Sequence, residues 1–474
     1  MKLLKKHLPA ILLLLSFSAI GQQPLRIACI GNSITEGYGI KEPAVNAYPA
    51  QLQALLGSHY EVLNFGVSGT TLLREGNHPY CNTARYKAAL ESRPDIVLIK
   101  LGTNDSKLVN RAYYHHFTRD LHELVQSFRT LHTHPRVILL LPVTAFTTDS
   151  NSIYEPVIKD SIIPLIRQVA YDDNLEVIDL HALFANQVAL VPDKIHPNKE
   201  GAAIIANRLY QLFKQQRDTG YIITSRIEGI DNTTSFYGYA CSGFSFEGRS
   251  CRIVRPKWTA PNHPWVWRAR FWGHEPQADI ALLERGFHIV YCDVAELFGN
   301  REAITIWNHF YKKLTRAGLA KKVVLEAMSR GGVYAYNWAA ENPEKVACIY
   351  ADNPVLDLKS WPGGKGKGPG SADDWEKVKI DFQLQSAAAA AAFAGSPLNK
   401  VQLIVKGKYP MLHVCGDADE VVPMEENTIP FEQQVRALGG DITVIHKPGF
   451  KHHPHSLPNP MPIVNFILKA VPLP

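Results

Sequence analysis

Leu25-Arg26-Ile27-Ala28-Cys29-Ile30-Gly31-Asn32-Ser33-Ile34-Thr35 is a nearly continuous apolar run that ends on glycine, asparagine and serine. Such a run reads as a strand buried on both faces, and its ending puts a turn and a hydroxyl just beyond the carboxyl end. In an open parallel sheet, that is where ligands sit. Working outward, Tyr60–Phe65, Asp95–Lys100, Val137–Leu141 and Leu175–Ile178 repeat the short apolar pattern. The segments Tyr48–Leu56, Tyr113–Leu131 and Tyr154–Tyr171 carry helical periodicity between them, and Gly201–Gln215 is an amphipathic helix that closes the series. This alternation predicts an α/β fold, a parallel sheet with helices on both faces.

Four short motifs fall in order along this region: Gly31-Asn32-Ser33-Ile34-Thr35, Gly66-Val67-Ser68-Gly69, Gly102-Thr103-Asn104-Asp105 and Asp193-Lys194-Ile195-His196. A serine hydroxyl needs a base to take its proton, and His196 suits that role for Ser33. Asp193, three residues earlier on the same loop, is close enough to orient the imidazole through its other nitrogen. The N–H groups of Ser33 and Gly69 and the side-chain amide of Asn104 supply donors for the oxyanion of a tetrahedral intermediate. Gly69 has no Cβ to keep the backbone away from the reacting carbon.

On these motifs, residues Leu25 to about Gln215 resemble the SGNH (GDSL-type) hydrolases. The resemblance implies a flavodoxin-like parallel-sheet domain in which Ser33, Gly69, Asn104 and His196 form the catalytic set, with Asp193 as the acid. Asn32 stands where the family usually has Asp, a position outside the family's catalytic groups.

The second half offers another nucleophile. After Gly220 the chain turns to Gly- and Tyr-rich hairpin-like strands, followed by Trp258, Trp265, Trp267 and Trp272, which suit either a sugar-stacking surface or a core between antiparallel strands. From Gly286 the β/α alternation returns: strands at Phe287–Cys292, Lys322–Glu326, Val346–Tyr350, Met411–Cys415 and Ile442–His446, with helices over Glu302–Ala317 and Gly331–Asn342. Ala327-Met328-Ser329-Arg330-Gly331 lies between a strand and a helix, the setting of a nucleophile elbow. Ser329, then Asp419, then His452 follow the chain order of an α/β-hydrolase triad, with His453 as the alternative base. From about Tyr221 to Pro474 the chain resembles that superfamily, which implies an oxyanion hole from the Arg330 N–H and the Phe271-Trp272-Gly273 region. The Arg330 side chain is open to two roles, pairing with an acidic substrate group or a structural salt bridge.

Composition sets the frame. With 474 residues, the chain exceeds the size at which one core stops growing, so two domains are expected. The divisions are a signal peptide over residues 1–23, an SGNH domain over 24–217 and an α/β-hydrolase domain over 218–474. Lys2, Lys5 and Lys6 precede an apolar stretch, Leu8–Ile20, too short for a comfortable membrane span, which reads as a secretory signal. The expected location is therefore secreted or periplasmic, with no stable membrane insertion after cleavage. A net charge of +6, half of it on those leader lysines, is too mild to argue for nucleic acid. Of the seven cysteines, Cys241 and Cys251 flank a hairpin and are the one pair nominated for a disulfide. The run His452, His453, His455 has no carboxylate or cysteine at ligand spacing, so no metal is expected, and acyl-enzyme chemistry needs no cofactor.

The resulting expectation is a secreted serine esterase that removes acyl groups, foremost O-acetyl, from oligo- or polysaccharides, with two active sites. The alternatives are a lipase, thioesterase or aryl esterase, or one active SGNH domain joined to a non-catalytic, glycan-binding second half.

Overall fold

The computed structural model describes residues 23–474. Apart from Gln23, the expected signal segment lies outside the described residues. No described helix is long and apolar enough to cross a membrane.

The first sheet holds β1 (Leu25–Gly31), β2 (Tyr60–Gly66), β3 (Ile96–Lys100), β4 (Arg136–Leu140) and β5 (Glu176–Ile178), all parallel, in the order β2-β1-β3-β4-β5. Strand residues alternate between two apolar clusters. Ala28, Ile30, Val97, Ile99 and Leu139 join the helices Phe117–Arg129 and Ile163–Asp172 on one face. Ile27, Cys29, Leu98, Ile138 and Leu140 join Tyr48–Leu56 and Lys199–Lys214 on the other. The period of two makes one apolar run serve both faces. Gly31 is in register with Gly66 on one side and with Lys100 on the other, so the loops after β1, β2 and β3 leave the sheet side by side. The order reverses at β1, which opens the crevice there.

The expected helix Tyr154–Tyr171 is instead broken into Glu155–Val157, a wider-wound turn at Ile158–Ile162 and a regular helix from Ile163. Pro164 is the cause: it has no N–H to give to the preceding turn. The expected helix Tyr113–Leu131 is regular only over Phe117–Arg129, with tighter turns before it.

The second sheet has nine strands in the order β14-β13-β12-β11-β9-β10-β8-β7-β6. Its antiparallel edge is β6 (Ile230–Phe236), β7 (Tyr239–Phe246) and β8 (Arg249–Arg255), with β8 also antiparallel to β10 (His288–Cys292). From β10 onward the pairing is parallel through β9 (Trp265–Arg268), β11 (Val323–Met328), β12 (Val346–Asp352), β13 (Met411–Gly416) and β14 (Ile442–Lys447). Trp265 and Trp267 are fully buried in β9, where they stack on each other and Trp267 packs with Trp307 and Trp338. They are core, in a parallel strand and not between antiparallel ones.

The nominated Cys241–Cys251 disulfide is absent: every cysteine is free. Cys241 faces Val254 and joins the apolar cluster on one face of the sheet, whereas Cys251 faces Phe244 and joins the cluster on the other. Side chains on opposite faces cannot be bridged without backbone movement. On its other edge Cys251 lies opposite Cys292.

One apolar cluster contains residues of both sheets, among them Val137 and Val177 from the first and Val266, Ile289 and Val324 from the second. Within this contact buried Arg208 donates to buried Glu284 at 2.8 Å, and Glu284 also accepts the N–H of partly buried Asp179 at 2.7 Å.

Candidate active sites

Ser33 follows β1 as the first residue of a short helical turn, Ser33–Glu36, capped by the Asn32 carboxamide accepting from the Ile34 N–H at 3.2 Å. The cap leaves the Ser33 N–H pointing away from the turn's own hydrogen bonds. His196 arrives from the loop before helix Lys199–Lys214, with Nε2 2.8 Å from Ser33 Oγ and Nδ1 2.6 Å from Asp193 Oδ2. Asp193 Oδ1 accepts the N–H groups of His196 and Ile195 at 2.6 and 3.0 Å, so the acid holds both the ring and the loop that carries it. Partial burial works to raise the Asp193 pKa, but the hydrogen bonds from His196 and Ile195 outweigh it and hold the carboxylate below its usual range.

Gly69 sits at φ +78°, a left-handed conformation that favours glycine. Asn104 is buried, and its Nδ2 donates to the Thr70 carbonyl at 3.0 Å, which leaves one amide hydrogen. The N–H groups of Ser33 and Gly69 have no backbone partner among the described residues. The structure thus joins Ser33, His196 and Asp193 in one hydrogen-bonded chain, and the Asn104 amide bonds to Thr70, the residue after Gly69.

Sequence reasoning assigned no role to Asp105, Lys100 or Tyr38. The Asp105 carboxylate accepts the N–H groups of Leu72 and Leu73 at 3.1 and 2.9 Å, which ties the loop carrying Gly69 to the loop carrying Asn104. Its place directly after Asn104 was the available signal. Lys100 ends β3 in full burial with Nζ 3.4 Å from Asn32 Oδ1, and that burial lowers its pKa to about 7. Tyr38 is largely exposed, with its ring centroid 4.7 Å from that of His196.

In the second half, Ser329 lies between β11 and helix Gly331–Glu341 at φ +50°, a strained conformation for a residue with a Cβ. The following helix packs close: a Cβ on Gly332 would lie 2.8 Å from the Val355 carbonyl and the Pro354 side chain. His452 places Nε2 2.9 Å from Ser329 Oγ and Nδ1 2.7 Å from Asp419 Oδ2. Asp419 Oδ1 accepts the N–H groups of Val421 and Val422, both at 2.9 Å. Of the two candidate bases, it is His452 that meets the serine, and His453 points elsewhere. Asn353, absent from the sequence reading, accepts from the Gly416 N–H at 2.8 Å and donates to the His452 carbonyl at 2.9 Å, so it couples the loops that carry the acid and the base.

The Arg330 guanidinium lies 3.7 Å from Asp374 and over the rings of Phe271 and Phe298, the structural role of the two left open. The Arg330 N–H has no backbone partner among the described residues. The loop Phe271-Trp272-Gly273 is held from beneath by buried Arg268, which donates to the Phe271 carbonyl at 3.1 Å and to the His274 carbonyl. Arg268 also faces Asp279 and Glu326, and burial together with Asp279 pushes the Glu326 carboxyl well above the usual carboxylate range. Beside the triad stand His274, His453 and His455; burial first, then the neighbouring His455, holds His274 and His453 below the usual imidazole range.

Residues 29–204 match the GDSL-like Lipase/Acylhydrolase family. This region is a GDSL/SGNH hydrolase domain. The chain is also 43% identical over 209 residues to an acetylxylan esterase from Xylanibacter ruminicola, a match that covers 40% of this chain and 43% of that protein's length. The chain therefore matches less than half the length of that curated relative. Among solved structures, a carbohydrate acetylesterase from Sinorhizobium meliloti is 22% identical over 40% of this chain and all of its own, with a TM-score of 0.32. An S-formylglutathione hydrolase from Agrobacterium tumefaciens is 15% identical over 51% of this chain and 97% of its own, with a TM-score of 0.38. The GDSL/SGNH domain is joined to a second α/β domain, built on the nine-stranded sheet.

Proposed function

We propose that the protein is an exported carboxylic ester hydrolase that removes O-acetyl groups from carbohydrates, with one active site at Ser33 and a second at Ser329. The observation that carries this reading is the 2.8 Å contact between His196 Nε2 and Ser33 Oγ. Ser33 Oγ attacks the acetyl carbon while His196 takes its proton, and the N–H groups of Ser33 and Gly69 with the Asn104 amide bind the oxyanion. The intermediate collapses to an acetyl-enzyme as His196 returns the proton to the departing sugar hydroxyl. Water activated by the same imidazole then releases acetate and restores Ser33. The same sequence of steps applies to Ser329, His452 and Asp419.

The carbohydrate substrate is supported by the acetylxylan esterase relative and by the exposed Tyr38 ring next to His196, a flat apolar face of the kind on which a sugar ring packs. Export is supported by the leader-like pattern of Met1–Gln23. The test is acetate release from acetylated xylan, pectin and acetylated sialosides by wild type, Ser33→Ala, Ser329→Ala and the double variant. Each single variant is expected to lose turnover on at least one substrate, and the double variant on all. If Ser33→Ala alone abolishes release from every substrate, the second site is not catalytic; if Ser33→Ala changes nothing, the first assignment fails.

A further inference from the structure

We propose that His274, His453 and His455 form a binding site for a divalent transition ion of the zinc class at the edge of the Ser329 site. One nitrogen from each of these rings lies within 4.8 Å of the other two. Zinc with Zn–N distances of about 2.0–2.1 Å in a tetrahedron needs ligand nitrogens roughly 3.3 Å apart. The rings of His274 and His453 are exposed and can close that gap by side-chain rotation, while His455 is buried and fixed.

His455 is held as a metal-bound imidazole is held. Its Nδ1 donates to Asp352 Oδ1 at 2.8 Å, which leaves Nε2 as the nitrogen with a free lone pair. A carboxylate behind the ligating ring is the usual device for setting tautomer and orientation at such sites. Asp352 is itself fully buried and satisfied, accepting the Ser456 N–H at 2.8 Å and the Tyr350 hydroxyl at 3.0 Å, with Lys447 Nζ 3.5 Å away to balance its charge. His452 is close, its ring centroid 4.9 Å from that of His455, but Asp419 and Ser329 occupy both its nitrogens, so it is not a ligand.

Three neutral nitrogen ligands with no acidic partner in the first ring of contacts favour zinc, cobalt or nickel over magnesium and calcium, which prefer oxygen. The exposure of two of the rings leaves the fourth position to water. The spacing along the chain concealed this set, because the third ligand comes from the loop between β9 and helix Gln277–Leu283, far upstream of the His452–His455 run. An ion here joins that loop, already gripped by Arg268, to the loop that carries His452. Its role is to lock the two walls of the Ser329 site at a fixed spacing.

The test uses the untagged, metal-stripped full chain, titrated with Co2+ and Zn2+ and followed by visible absorption, calorimetry and thermal unfolding. The expected result is one Co2+ bound per chain with the intense absorption of a tetrahedral nitrogen site, displaced by Zn2+ and not by Mg2+, and a rise in melting temperature with Zn2+. His274→Ala and His453→Ala, both surface changes expected to leave the fold intact, should each weaken binding by more than the roughly 10–100-fold that loss of an outer partner costs. Ser329→Ala should bind the ion as wild type does. The proposal is overturned if no stoichiometric uptake occurs, if the cobalt spectrum is that of a weakly absorbing octahedral ion, or if either histidine variant binds as tightly as wild type.

Discussion

The buried carboxamide of Asn104 gives one hydrogen to the Thr70 carbonyl, and in the proposed mechanism its other hydrogen binds the oxyanion. Asn104→Ala in a Ser329→Ala background is therefore expected to lower kcat on an aryl acetate by about 10²–10³ with little change in KM. Equal loss in kcat and gain in KM would mean that the amide binds the ground state as well. Lys100 has a thermodynamic consequence of its own. Burial lowers its folded-state pKa to about 7, well below the unfolded value near 10.4, so between these values the unfolded chain binds more protons and stability rises with pH. Lys100→Met should be more stable than wild type at pH 7, with an advantage that shrinks by up to about 1.4 kcal/mol per pH unit toward pH 10. Urea unfolding at several pH values measures this, and an advantage independent of pH would show that Nζ is not the cause. At this scale the Ser-His-Asp groupings that the structure joins by hydrogen bonds could be proposed because motif spacing exposes them. The contacts that Asp105, Lys100 and Asn353 make could not, because each acts on a loop distant in sequence, although the place of Asp105 directly after Asn104 marked it.

At the scale of elements, the first site depends on loops after β1, β2 and β3 being held in step. Register sets where they start, with Gly31 beside both Gly66 and Lys100. Asp105 then ties two of them by accepting the Leu72 and Leu73 N–H groups. Asp105→Ala strands both donors in a buried setting, at about 1–3 kcal/mol for each. The variant should unfold at lower urea concentration and also lose kcat at the Ser33 site, although Ser33, His196 and Asn104 are all retained. Retention of full kcat with reduced stability would confine Asp105 to a structural role. The strands were legible as apolar runs, and boundaries differed by a residue or two. The broken helix at Glu155–Asp172 was not, since an apolar periodicity continues across Pro164 even where the hydrogen bonding cannot.

At the scale of the whole molecule, the two sheets share an apolar cluster, and Glu284 fixes their contact through Arg208 and the Asp179 N–H. Glu284→Ala leaves a buried guanidinium without its partner and is expected to cost about 3–5 kcal/mol, with faster proteolysis around residues 218–230. The double variant Glu284→Leu with Arg208→Met removes both charges and should recover most of that loss in a chemical denaturation experiment. If the single variant is as stable as wild type, the pair does not hold the halves together. By itself the sequence determined the α/β alternation in both halves of the chain and singled out Ser33, His196, Ser329 and His452 as candidates, because buried strands and turn-borne nucleophiles leave local patterns. Only the tertiary structure decided that Cys241 and Cys251 lie on opposite faces, that the tryptophans of β9 are core, and that His274 stands beside His453 and His455. Which side chains meet across a sheet or between distant loops is set by strand order and register, and these depend on packing of the whole chain and not on any one segment.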